Sequence, residues 1–70
     1  MKYLVLIEET ATGYSAFSPD VPGCAATGST QADVLRSMQE ALKFHIEGLR
    51  ADGEPAPIAT TSSCYVEVAA

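Results

Sequence analysis

The chain has 70 residues, 47% of them hydrophobic, with nine acidic against four basic side chains and a formal net charge of −5. That length allows one domain, which buries only ~60% of the surface exposed by the unfolded chain, and the apolar fraction argues against intrinsic disorder. The acidic balance argues against unaided binding to nucleic acid, whose phosphates demand clustered Lys and Arg, and favours a basic protein partner.

The first apolar run, Tyr3 to Ile7, is cut by Glu8 and Glu9 before a secretory or membrane-spanning segment develops, so a cytoplasmic chain is expected. From Lys2 to about Glu8 the residues suit a strand, with Tyr3, Val5 and Ile7 on one face and Leu4 and Leu6 on the other. A strand apolar on both faces calls for cover on both sides. Residues 9–13 end in Gly13 and read as a hairpin loop into a second, antiparallel strand from Tyr14 to about Ser18.

Ser18-Pro19-Asp20-Val21-Pro22-Gly23-Cys24 forms a stiff turn: the prolines fix φ and bias the residue before each, and Gly23 can supply a positive φ. Asp20 is expected to accept backbone hydrogen bonds within that turn. A short third strand over residues 24–27 leads to Gly28, and Thr30 with Asp33 three positions on resembles a capping box, which predicts a helix starting just after Thr30.

At 100° per residue, Val34, Leu35, Met38, Ala41, Leu42, His45, Ile46 and Leu49 share one side of that helix. The other side carries Arg36, Glu40, Lys43, Glu47 and Arg50, a solvated face of alternating charge. Gly53 caps the end, and Pro55 and Pro57 prevent continuation. After a connection over residues 58–63, Cys64, Val66 and Val68 alternate with Tyr65 and Glu67, which predicts a last strand.

The resulting order is β-β-β-α-β, an α+β fold with an antiparallel sheet and one helix packed on one face. The helix leaves the other sheet face uncovered, so a homo-oligomer or a partner protein is expected to cover it.

Chemistry is sparse. His45 lies among apolar helix residues and reads as a packed histidine. Glu8, Glu9 and Asp20 lie near strand ends, but no spacing among them requires a metal pair. Cys24 and Cys64 are far apart and read as reduced thiols. No catalytic residue, cofactor site or metal site is assigned. Phe44, on the flank of the helix stripe, and the tyrosines Tyr3 and Tyr65 are the candidate partner or oligomer contacts.

The ordered combination of Gly13-Tyr14, Pro19-Asp20-Val21-Pro22-Gly23-Cys24, Gly28-Ser29-Thr30 and an amphipathic helix resembles the HicB-like antitoxin family over nearly the whole chain. The resemblance implies a partial ribonuclease-H-like fold and self-association as a dimer or tetramer. It also implies a HicA-type toxin as partner, a small basic protein that cleaves RNA with a catalytic histidine and is held inactive in the complex. Longer members carry a DNA-binding segment after this domain. Residues 1–70 are expected to form a single HicB-like domain without it, acting as a non-enzymatic antitoxin-like protein. The alternative is a homo-oligomeric structural domain of the same fold without a toxin.

Overall fold

In the computed structural model, which describes residues 1–69, three strands precede one long helix: β1 (Leu6–Thr10), β2 (Gly13–Phe17), β3 (Ala25–Gly28) and α1 (Gln31–Ala51). The sheet order is β1-β2-β3 and both pairings are antiparallel. This is the α+β arrangement read from the sequence, with α1 on one face. Its register places Leu6, Phe17 and Ala25 in one cross-strand row and Glu9, Tyr14 and Gly28 in another.

β1 starts later than its apolar run. Ser18 accounts for the difference: its hydroxyl donates to the Leu4 carbonyl at 2.8 Å while its own amide donates to the Cys24 carbonyl at 3.3 Å. The chain leaves β2 at that point, so the residues before Leu6 have no ladder partner. The turn to β3 is closed by the Val21 amide on the Ser18 carbonyl and the Cys24 amide on the Val21 carbonyl, both at 3.2 Å. Gly23 takes φ +82°, the left-handed conformation that its lack of a Cβ makes inexpensive.

The helix begins where expected. Thr30 is its N-cap, with the Oγ1 accepting from the Asp33 amide at 3.0 Å, and Asp33 places a carboxylate in the first turn, where the helix dipole favours it. It ends as expected too, on paired bonds from the Gly53 amide to the Arg50 carbonyl and from the Glu54 amide to the Leu49 carbonyl.

Val21, Val34 and Met38 are fully enclosed, with Ala16 and Cys24 around them and Tyr3, Val5, Ile7, Tyr14, Ala41 and Leu42 packed against this core. Leu35, placed on the buried side by periodicity, is 47% exposed, because a sheet of only three strands is too narrow to cover the flank of the helix. The row of Leu6, Phe17 and Ala25 lies on the face turned from α1, where Phe17 stays 41% exposed.

Among the described residues the expected fourth strand does not form. Residues 52–69 carry no ladder, and residues 64–68 are exposed throughout. Alternation identifies a segment able to pair; it does not supply a neighbour.

Gly28 allows the close approach of β3 to α1: a Cβ there would stand 2.6 Å from the Val34 amide nitrogen and 3.0 Å from its Cα. Those are backbone atoms of the first helical turn and cannot swing aside. Gly28→Ala is therefore expected to destabilise the fold by about 1–3 kcal/mol, read as a lower urea midpoint with an unchanged slope.

Candidate functional site

The Pro19–Cys24 turn sits at the end of the sheet where β2 stops and β3 starts, with Val21 and Cys24 buried and Pro22 and Gly23 exposed. Cys24 is a free thiol, and burial pushes its pKa up, which keeps it in the unreactive thiol form. Gly28 and Thr30, the other motif positions, set the entry into α1, so these residues act on local geometry.

Asp20 departs from the local bonding expected of it. Instead of bonding within its turn, its carboxylate reaches the segment after the helix. Oδ2 accepts the amides of Thr60 (3.1 Å) and Thr61 (3.0 Å), and Oδ1 accepts their hydroxyls at 3.2 and 2.7 Å. The hydroxyl and amide of Thr61, followed by those of Thr60, hold the Asp20 carboxyl below the usual aspartate pKa. A second tie lies just before this one: the Tyr3 hydroxyl donates to the Pro57 carbonyl at 2.6 Å. Together they lead the chain from the helix end back to the sheet. Nothing local marks Thr60 and Thr61 as partners of a residue forty positions earlier; the only sequence signal is two adjacent hydroxyl residues.

The proposed contact residues divide. Phe44 is 81% exposed and Tyr65 fully so, while Tyr3 is half-buried against the core with its hydroxyl bonded. Phe17, on the open sheet face, belongs with the exposed apolar side chains and was not singled out by the sequence. His45 is half-buried. Glu8 and Glu9 lie toward the far end of β1 from Asp20, so the three carboxylates do not converge. Among the described residues no group of three His, Cys, Asp or Glu side chains could hold a metal ion, and no helix is long and apolar enough to cross a membrane.

The charged helix face, Arg36, Glu40, Lys43, Glu47 and Arg50, is exposed throughout. Among the described residues its ion pair is Arg36 with Asp33 at 3.5 Å, reinforced where Ser29 Oγ donates to the same carboxylate. Such exposed pairs contribute little to stability.

The Asp20 tie gives a signed pH dependence. A carboxyl whose pKa is lower in the folded state stabilises the tie above its unfolded value, and that contribution is lost as pH falls from the ordinary aspartate range near 3.8 through the lower folded value. Hydrogen exchange at the Thr60 and Thr61 amides should therefore accelerate, after correction for the intrinsic rate, when pH drops through that window. Asp20→Ala should do the same at neutral pH while leaving the amides of α1 protected.

The model of the HicB-like antitoxin of bacterial toxin–antitoxin systems matches residues 3–68. An uncharacterised 14.9 kDa protein from the rep-hol intergenic region of Haemophilus phage HP1 is 38% identical over 66 residues, covering 94% of this chain and 50% of that protein. The chain thus spans about half the length of this relative. A chain from a solved HicA3 and HicB3 toxin–antitoxin complex superposes with a TM-score of 0.71 at 35% identity, over 86% of this chain and 70% of that one. A crystal structure of the antitoxin HicB3 gives the same score and identity over 86% of this chain and 44% of its own. On the match over residues 3–68, with a fold that agrees, the chain belongs to the HicB-like antitoxin family of bacterial toxin–antitoxin systems.

Proposed function

We propose that this chain binds and neutralises a small basic, RNA-cleaving toxin of the HicA type. The observation that carries the reading is the likeness, at 35% identity over 86% of the chain, to a chain from a HicA3 and HicB3 toxin–antitoxin complex. Charge supports it. A protein that cleaves RNA presents cationic surface, and an acidic chain is drawn to that surface by long-range attraction that raises the association rate.

The chain acts by occupying the toxin and carries no catalysis of its own. Its place of action is the cytoplasm, where such a toxin meets RNA. Affinity comes from desolvated apolar and aromatic contacts, because exposed rim charges contribute little. Phe44 is suited to this role: it is a large ring, 81% exposed, with Gly48 and Ser37 nearby on the same flank of α1. A homo-oligomeric structural domain without a toxin is the second reading, favoured by the exposed row around Phe17.

Stopped-flow or surface-based kinetics with a HicA-type toxin test the first reading. Raising salt should slow association markedly and change dissociation less. Phe44→Ala should raise the dissociation constant about fivefold or more, equivalent to ~1 kcal/mol or above. Binding to no small basic RNA-cleaving protein would overturn the antitoxin reading, and an association rate indifferent to salt would overturn the steering argument alone.

A further inference from the structure

Between Tyr3 and one face of α1 runs a groove of about 300 Å³, at the lower end of the ~300–1,000 Å³ range of small-molecule sites. Its helical side is a stripe at spacings of three and four, from Gln39 through Leu42, Lys43, Ile46 and Glu47 to Arg50. From Gln39 to Arg50 the stripe runs ~16 Å along the helix axis. That volume spread over that length leaves room for one narrow chain rather than a ring system. The floor is apolar and fixed. Ile46 is buried, Leu42 and Tyr3 are half-buried, and the Tyr3 ring is held where its hydroxyl donates to the Pro57 carbonyl.

The rim is polar, and its charges are not spent on one another. Lys43, Glu47 and Arg50 are exposed, and among the described residues none of them forms an ion pair, although Lys43 and Glu47 stand one turn apart. In a chain of net charge −5, an unpaired ammonium beside an apolar groove is a local reversal of sign. Two cations and one carboxylate leave this rim with a single net positive charge.

We propose that this groove binds a straight-chain fatty acid, a small amphipathic monoanion, with its carboxylate at Lys43 and Gln39 and its tail over Leu42, Ile46 and Tyr3. Charge sets that orientation. Lys43 supplies a full positive charge and Gln39, one turn earlier on the same face, an N–H donor, whereas Glu47, one turn later, repels a carboxylate placed farther along. Arg50 lies in the last turn of α1, where the negative end of the helix dipole also disfavours an anion. Its role is to cover the tail: the methylenes of Arg50 pack on hydrocarbon while the guanidinium stays in water. The single net charge of the rim matches a carboxylate better than a phosphate dianion. A cationic protein surface gains nothing at Lys43, so the inference does not depend on the toxin assignment and no toxin enters its test.

Decanoate, kept below its micelle concentration, is titrated into the isotope-labelled full chain and followed by NMR. The expected result is a saturable shift of the Leu42 and Ile46 methyls and of the Gln39 side-chain amide, with a sub-millimolar dissociation constant and unchanged helix content by circular dichroism. Octanoate should bind about fivefold more weakly, since the half-open groove buries part of each methylene it lacks. Lys43→Gln should raise the dissociation constant about tenfold, the loss of a charge-assisted bond, while Arg50→Gln changes it less than about twofold. Both side chains are exposed and outside any ion pair, so both variants fold. Shifts that do not saturate or that map elsewhere would overturn the proposal. Equal binding of decyltrimethylammonium, which carries the same tail on a cation, or indifference to Lys43→Gln would overturn it as well.

Discussion

Ser18 ties the sheet together. Its hydroxyl holds the Leu4 carbonyl, its amide holds the Cys24 carbonyl, and its own carbonyl receives the Val21 amide, all at a position only 3% exposed. Each such bond adds about 0.5–1.5 kcal/mol, and leaving a buried partner unsatisfied costs more. The larger effect is geometric. With Ser18 fixed, β2 ends there, Val21 is driven into the core, and β3 begins in register beside Phe17. The position of β3 in turn brings Gly28 against Val34 and so sets where α1 lies on the sheet.

The core is thereby placed almost wholly between one helix and one sheet face, and the remaining surfaces face solvent. They are of two kinds. The solvent side of α1 alternates in charge, while the chain as a whole is acidic. On the far face of the sheet the row of Leu6, Phe17 and Ala25 is apolar, and Tyr65, Val66 and Val68 are exposed. Small domains with so little interior commonly gain stability through association.

Local chemistry made much of this visible in the sequence. Thr30 and Gly53 marked the helix ends because capping is a matter of a few adjacent residues, and the positive φ of Gly23 was legible because a glycine after Pro22 in a turn takes that conformation at little cost. The start of β1 was harder, since it depends on a serine side chain fourteen positions away taking a bond that a ladder would otherwise make. Leu35 obeyed the helical period, but periodicity carries no information about how wide the opposing sheet is. The Asp20 tie was hidden for a related reason: its partners are forty residues on, and an aspartate in a proline-rich turn ordinarily bonds close to home. Motif residues were legible as shapers of a turn; the surfaces they present were not, because exposure is a property of the packed chain.

Asp20 also fixes a length. The segment held at Thr61 has eight described residues beyond it, 62–69, which at ~3.3 Å per residue reach about 26 Å, somewhat less than the ~31 Å axis of a 21-residue helix. Any surface engaged by Val66 and Val68 must lie within that radius of the anchor. A tether this short raises the effective concentration of whatever docks inside its range.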